Sequence, residues 1–285
     1  MTADGSIEHR TDNVASKVAA ARRVLLLVHG ITGDTGGMAA GVKACALDSR
    51  FDLVLAYDYE NLATPIGDTA RLLKAQLEAA GLTAADNIHL TLLVHSMGGL
   101  VSRWFIEREG GHAVVDHLVM CGTPNNGSPL GRIEDARKIL GMLTTVAMNY
   151  LPGFIPFSSA VLLLLNGSKS LTPTLEQMNP ESEFIGTLNQ SADPGVRYTI
   201  LAGDVAKYQE PSDAWFSRLL DKAATSFVFD ALFAHQTNDI AVGVDSILGI
   251  HDERRYPPAR NPIACHHLNY FVSEPGQQAL KSVAW

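Results

Sequence analysis

Aliphatic runs without alternation recur along this chain, and each stops at a glycine or a polar turn. Residues 24–28, "VLLLV", lead straight into His29 and Gly30, and residues 51–57, 89–95, 114–121 and 196–204 repeat the arrangement. Runs of this kind predict strands buried on both faces. Between them the period changes. In 64–80, Ile66, Ala70, Leu73 and Leu77 recur at helical spacing, Pro65 suits a first turn and Gly81 ends it. "GGMAAGVKACALDS" and residues 98–109 also have helical character, and a closing helix is expected from about Ser273. "HDERRYPPARNP" reads as a polar loop, and "ACHHLNYF" as a short strand or loop before the last helix. Strand alternating with helix predicts an α/β protein, a mostly parallel sheet covered by helices.

The rhythm fails over 130–194. "DARKILGMLTTVAMNYLPGFIPFSSAVLLLLNGSKS" is apolar and helical but broken by proline and glycine, as expected of a largely helical cap inserted into the domain. A second irregular insertion, 205–237, carries Trp215, Phe216, Phe227, Phe229 and Phe233. No internal repeat or low-complexity linker divides the chain, so residues 1–285 are read as one domain.

Composition narrows the function classes. The chain has 285 residues, 46% of them hydrophobic, which is ample for a core. A net charge of -8 with no basic patch argues against nucleic acid and against an acidic membrane surface as partners. The most apolar tract, 139–165, is interrupted by Asn149, Pro152, Gly153 and Pro156, whereas a membrane span needs roughly 20 apolar residues in succession. No transmembrane segment is expected. The polar amino terminus lacks the apolar core of a signal peptide. The chain therefore reads as cytoplasmic, or as exported if a leader has been removed. Cys45, Cys121 and Cys265 are scattered and odd in number, so reduced, buried thiols are expected, with a Cys45–Cys121 or Cys121–Cys265 bridge as the alternative in an exported protein.

The candidate chemistry starts at "LLVHSMGGLVSRWF". Ser96 follows a buried strand and precedes a helix, with Gly98 and Gly99 supplying the small neighbours that a tight strand-to-helix turn requires. The helix would aim its first N–H groups at developing negative charge. The plainer alternative is a serine in an ordinary turn. Earlier in the chain, "VHGITG" offers a second glycine-bearing loop at a strand end, where backbone can approach a carbonyl closely.

Taken together these segments resemble the α/β-hydrolase superfamily, and within it bacterial lipases and related serine carboxylesterases. The resemblance covers most of the chain. It departs from the G-x-S-x-G elbow at Val94, a branched side chain where the turn is crowded, which calls for a slightly opened elbow or a smaller neighbour. What the resemblance implies is a carboxylic ester hydrolase acting on apolar acyl esters through an acyl-enzyme, with Ser96 as nucleophile. The backbone N–H groups of Met97 and Ile31 would form the oxyanion hole, and His29 would hold the loop by hydrogen bonding. A nucleophilic serine needs a histidine base oriented by a carboxylate, and the fold orders them serine, acid, histidine. "HHLNYF" has the form of the family's last histidine segment and selects His267, with His266 as the alternative. "TNDIAVGVDS" is similar to the N-D-G-x-V segment that carries the acid in several lipase families, with Ile240 in place of the glycine. It selects Asp239; Asp204, at the end of a strand, and Asp245 are the alternatives.

"GTPNNGSPLG" resembles the G-T-P-x-x-G-S loop of lipases, and it is expected to line the pocket and anchor the cap. Met142, Val146, Leu151, Phe154 and Phe157 are candidate pocket residues, although such residues equally often pack a cap onto its domain. Some related lipases bind calcium with an aspartate two residues past the histidine; here Asn269 stands there, so no metal is expected. Neither HExxH, GxxxxGK nor a Rossmann glycine fingerprint occurs, and no cofactor is expected. The expected partner is a small-molecule or lipid ester. An amide or thioester hydrolase, or an inactive member of the fold binding an apolar ligand or a protein, are the other readings.

Overall fold

The computed structural model describes residues 13–31, 35–84, 87–150, 172–207, 232–233 and 236–285, with 146–150 as helix backbone only. Among the described residues six strands form one sheet: β1 (Arg23–Val28), β2 (Leu53–Tyr57), β3 (His89–His95), β4 (Val115–Cys121), β5 (Arg197–Gly203) and β6 (Ala259–Ile263). Their order is β2-β1-β3-β4-β5-β6, and every pair is parallel.

The unbroken aliphatic runs follow from cover on both sides. Successive strand side chains point to opposite faces, so a doubly covered strand needs apolar residues at every position. Val24, Leu26, Val28, Leu92, Val94 and Met120 face one core, shared with helices α3 (Ile66–Ala79) and α4 (Met97–Arg108). Leu25, Leu27, Leu93, Val119 and Cys121 face the other, closed by α2 (Thr35–Ala44) and the last helix (Glu274–Ser282). Each side chain fully buried in this way stabilises the fold by roughly 1.5–3 kcal/mol. Cys45, Cys121 and Cys265 are buried free thiols.

Among the described residues the remaining helices are α1 (Val14–Ala20), α5 (Ile133–Tyr150), α6 (Pro173–Gln177), α7 (Glu183–Asn189) and α8 (Val244–Leu248), so Glu274–Ser282 is α9. Helices α5 to α7 are inserted between the adjacent parallel strands β4 and β5, a crossover that one helix would complete. Ala136, Ile139, Leu140 and Leu143 of α5 are buried in the first core. Residues 151–171 and most of 205–237 lie outside the described residues. No helix among the described residues is long and apolar enough to cross a membrane.

One sequence reading is corrected. The polar loop "HDERRYPPARNP" contains the start of β6, which among the described residues pairs only with β5, at the sheet edge. An edge strand is held by one ladder of backbone bonds and leaves a side open, so it tolerates Pro262 and needs no apolar run. "ACHHLNYF" is loop: Asn269 Oδ1 accepts the His266 N–H (2.8 Å), and the Ser273 N–H donates to the Asn269 carbonyl (2.9 Å).

The parallel arrangement brings the loops after Val28, Tyr57, His95, Cys121 and Gly203 to one end of the sheet, where Val28 pairs with both Tyr57 and Val94, and His95 with Cys121. Open sheets of this kind bind their ligands at the carboxyl ends of the strands.

Candidate active site

Ser96 sits at the turn from β3 to α4 with φ 54° and ψ -128°, a conformation that L-residues rarely adopt. Such strain costs on the order of 1–3 kcal/mol and persists where the surroundings over-determine it. The Ser96 N–H donates to the Cys121 carbonyl (2.9 Å), and the Gly99 N–H donates to the Ser96 carbonyl (3.0 Å). Two glycines make the turn possible. A Cβ on Gly98 would stand 2.4 Å from the His29 carbonyl oxygen, and one on Gly30 would stand 2.5 Å from the Ser96 Cβ. Val94 sits in register between Val28 and Met120 and is fully buried in the sheet core. The close approach expected around Val94 falls on Gly98 and Gly30, the smaller neighbours.

Ser96, His267 and Asp239 form one hydrogen-bonded line. His267 Nδ1 lies 2.7 Å from Asp239 Oδ2, and His267 Nε2 lies 2.9 Å from Ser96 Oγ. A carboxylate can only accept, so Nδ1 carries the proton and Nε2 is left free to accept from the serine hydroxyl. Asp239 is fully buried and satisfied on both oxygens: Oδ1 accepts the N–H groups of Ala241 (3.1 Å) and Val242 (2.8 Å), and Oδ2 also accepts the Tyr270 hydroxyl (3.0 Å). The turn that aims those N–H groups places Ile240 at φ 88°, where the similar lipase segments carry glycine. The isoleucine stays there fully buried in the core, with its N–H on Asn238 Oδ1 (2.9 Å).

The alternatives stand elsewhere. Asp204 Oδ1 accepts the Ala206 N–H (3.0 Å) and so caps the following turn. Asp245 is exposed on α8, and His251 is exposed too. His266 is buried beside the line, its Nδ1 accepting the Leu268 N–H (3.2 Å). Burial, then the neighbouring His267, pushes its pKa down to about 3. Burial and then His267 do the same to His95, also to about 3. His95 therefore stays neutral and donates through Nε2 to the His267 carbonyl (2.8 Å), fixing that backbone from below.

Against Ser96 lies the described part of the "VHGITG" loop, His29 to Ile31. His29 Nδ1–H donates to the Gly30 carbonyl (2.7 Å), and the ring stacks on Tyr59 at 4.4 Å. Tyr59 donates its hydroxyl to the His29 carbonyl (2.6 Å), and Asn61 donates its amide to the Ile31 carbonyl (3.2 Å). Ile31 is buried, and Met97 is the first residue of α4, whose opening N–H groups have no partner within the helix.

The "GTPNNGSPLG" loop braces Asp239 and its turn. A Cβ on Gly122 (φ 62°) would stand 2.9 Å from both Asp239 Oδ2 and the Tyr270 hydroxyl. Ser128 Oγ donates to the Ala241 carbonyl (2.7 Å), Asn125 Nδ2 donates to the Ile247 carbonyl (2.6 Å), and buried Arg103 holds Asn125 Oδ1 (3.2 Å). The loop also meets the inserted region, where the Ser128 N–H donates to the Met178 carbonyl (2.8 Å). Tyr270, Tyr59 and Asn61 have these roles with no sequence signal to announce them, because their partners are distant in the chain; Asn125 and Ser128 lie in a loop the sequence marks, but not with these partners. Met142 packs partly buried against the core. The side chain of Val146, and Leu151, Phe154 and Phe157, lie outside the described residues. Among the described residues no group of three His, Cys, Asp or Glu is arranged to hold a metal ion.

A family model described as "Domain of unknown function (DUF7379)" matches residues 3–284. The chain belongs to this family. No curated protein matches this DUF7379 chain by sequence. Solved structures do match it in shape. A Bacillus licheniformis lipase in mature form aligns at TM-score 0.57 and 17% identity, covering 98% of this chain and 97% of the other. EstA of Clostridium botulinum aligns at 0.54 and 11%, covering 97% and 90%. Lipase 1 of Pelosinus fermentans aligns at 0.53 and 12%, covering 93% and 100%. At these identities the likeness speaks for the fold, and the fold of this DUF7379 chain is that of the α/β-hydrolases.

Proposed function

We propose that this chain is a serine hydrolase of carboxylic esters with apolar acyl groups. The observation that carries the reading is the buried line from Ser96 Oγ through His267 to Asp239, at 2.9 and 2.7 Å. In this reading Ser96 Oγ attacks the ester carbonyl while its proton passes to His267 Nε2. The N–H groups of Met97 and Ile31 hold the oxyanion of the tetrahedral intermediate. His267 returns the proton to the leaving alcohol, and an acyl-Ser96 ester remains. A water molecule, deprotonated by the same imidazole, then releases the acid. Asp239 keeps the imidazole in its productive tautomer and balances the positive charge that forms.

The substrate class follows from the inserted region. Residues 130–194 are read as a cap and 205–237 as a second insertion, with Met142, Val146, Leu151, Phe154 and Phe157 proposed to face an acyl chain. Two of the matched structures are named lipases, which is in keeping with such a substrate.

The test is a fluorophosphonate probe on the intact protein, with the labelled residue mapped, beside hydrolysis of p-nitrophenyl esters. We expect one label on Ser96, lost in Ser96→Ala together with about a thousandfold or more of kcat. A label elsewhere, or a tenth of the activity kept by the folded variant, removes Ser96 from the role. Along the ester series kcat/KM should climb from acetate, at up to about 0.8 kcal/mol per buried methylene, to a short or medium chain. A maximum at acetate with steep loss at butyrate would rule out the acyl pocket.

A further inference from the structure

We infer that the segment after β2, through Tyr59 and Asn61, sets the orientation of the backbone donors on the "VHGITG" loop. The inference rests on the reading of that loop as half of an oxyanion hole.

Three consecutive carbonyls of the loop each receive a side-chain donor. Tyr59 donates to the His29 carbonyl (2.6 Å) and His29 Nδ1–H to the Gly30 carbonyl (2.7 Å). Asn61 Nδ2 donates to the Ile31 carbonyl (3.2 Å) and reaches the Gly30 carbonyl at 3.5 Å. In a planar trans amide, the carbonyl of one residue points opposite to the N–H of the next, and no described peptide bond is cis. Holding the Gly30 carbonyl therefore aims the Ile31 N–H the other way. Holding the His29 carbonyl does the same for the Gly30 N–H. The loop so fixed lies directly on the nucleophile, since a Cβ on Gly30 would stand 3.1 Å from Ser96 Oγ.

The sheet explains why these residues meet. Val28 and Tyr57 pair across β1 and β2, so the two strands release their loops side by side. The Tyr59–Asn61 segment is itself stiffened by Glu60, whose carboxylate accepts the N–H groups of Leu62 (2.8 Å), Ala63 (2.9 Å) and Thr64 (2.7 Å). Donors held in place before the reaction need no reorganisation when charge develops, which is where their value lies. Tyr59 and Asn61 are positioning residues: they hold the carbonyl side of the peptides and leave the N–H side to the substrate.

The test compares Tyr59→Phe, Asn61→Ala and Asn61→Asp with the wild type. Four quantities are read: kcat and KM on p-nitrophenyl butyrate, inhibition by an alkyl trifluoromethyl ketone that adds to serine as an oxyanion, and inhibition by the matching secondary alcohol, which has no carbonyl. We expect kcat to fall about tenfold to a hundredfold in the Asn61 variants with KM within about threefold. The ketone should weaken by the factor lost from kcat/KM, while the alcohol binds as before. Wild-type kcat and ketone affinity in folded variants would overturn the inference, as would equal losses for ketone and alcohol. Should Asn61→Ala fail to fold, Tyr59→Phe, which removes one oxygen, and the isosteric Asn61→Asp decide it. Fluorophosphonate labelling of Ser96 in the wild type separates the two ideas. Without that label the parent reading falls, and this one with it; with the label and unperturbed variants, only the positioning role is lost.

Discussion

Lowering the pH from about 7.5 to about 5 should cost the fold up to about 6 kcal/mol, through three buried histidines. His95, His117 and His266 are each 6% exposed or less. Burial, with His267 or Arg197 nearby, holds their pKa values at about 3, about 4 and about 3, against 6.5 for a free histidine. Unfolding releases three imidazoles that take up protons throughout this window, while the folded protein binds almost none there. The unfolded state therefore binds more protons, and stability is whole above the free-histidine pKa and lost as pH falls below it. At about pH 5 the loss is about 2 kcal/mol per histidine. The carboxyl of Asp52, held low by the N–H groups of Arg22 and Arg23, acts in the same direction but titrates below this window. Set against a typical stability of about 5–15 kcal/mol, the loss is enough to bring the protein to the edge of unfolding. Urea titrations followed by tryptophan fluorescence at several pH values would measure it, and His117→Gln, remote from Ser96, should remove about a third of the slope. Equal stabilities at the two ends of the range would refute the reasoning, because they would mean that the three rings are protonated or solvated in the native state.

Three further outcomes follow from the site. His267→Ala should be almost inactive while His266→Ala keeps substantial activity, and Asp239→Asn should lose far more kcat/KM than Asp204→Asn; a reversed ranking in either pair would remove that assignment. Gly30→Ala drives a Cβ to within 2.5 Å of the Ser96 Cβ, so melting should show about 1–3 kcal/mol of overpacking, and kcat should fall at least about tenfold with KM little changed. Tyr270→Phe leaves the buried Gly203 N–H, now bonded to the Tyr270 hydroxyl at 2.7 Å, without its acceptor; a loss of about 1–3 kcal/mol in urea denaturation is expected, and an unchanged midpoint would contradict it.

How much of this was legible in the chain depended on distance along it. Residues 24–28 and 89–95 announce themselves because a strand covered on both faces must be apolar at every position. The Ser96 turn does so because Gly98 relieves its crowding within two residues. The strand β6 gave no such signal, since its place at the edge is secured by one backbone ladder and not by burial. "GTPNNGSPLG" was visible as a glycine-rich loop, but its hold on the Asp239 turn was not, because the bond from Ser128 to Ala241 spans 113 residues.

The amino-acid sequence on its own thus determined the parallel α/β architecture, the strand-to-helix serine and a short field of candidate bases and acids. All of these are written in patterns a few residues wide. Only the tertiary structure decided which side chains meet. His266 and His267 are adjacent and share almost the same sequence surroundings. One faces Ser96 and the other does not because the His267 N–H is fastened to the Asp239 carbonyl (2.8 Å) and the His266 N–H to Asn269. The bond from His267 to Ser96 spans 171 residues, and that from Asn61 to Ile31 spans 30. Such contacts depend on where the sheet releases each loop, and no local pattern encodes that.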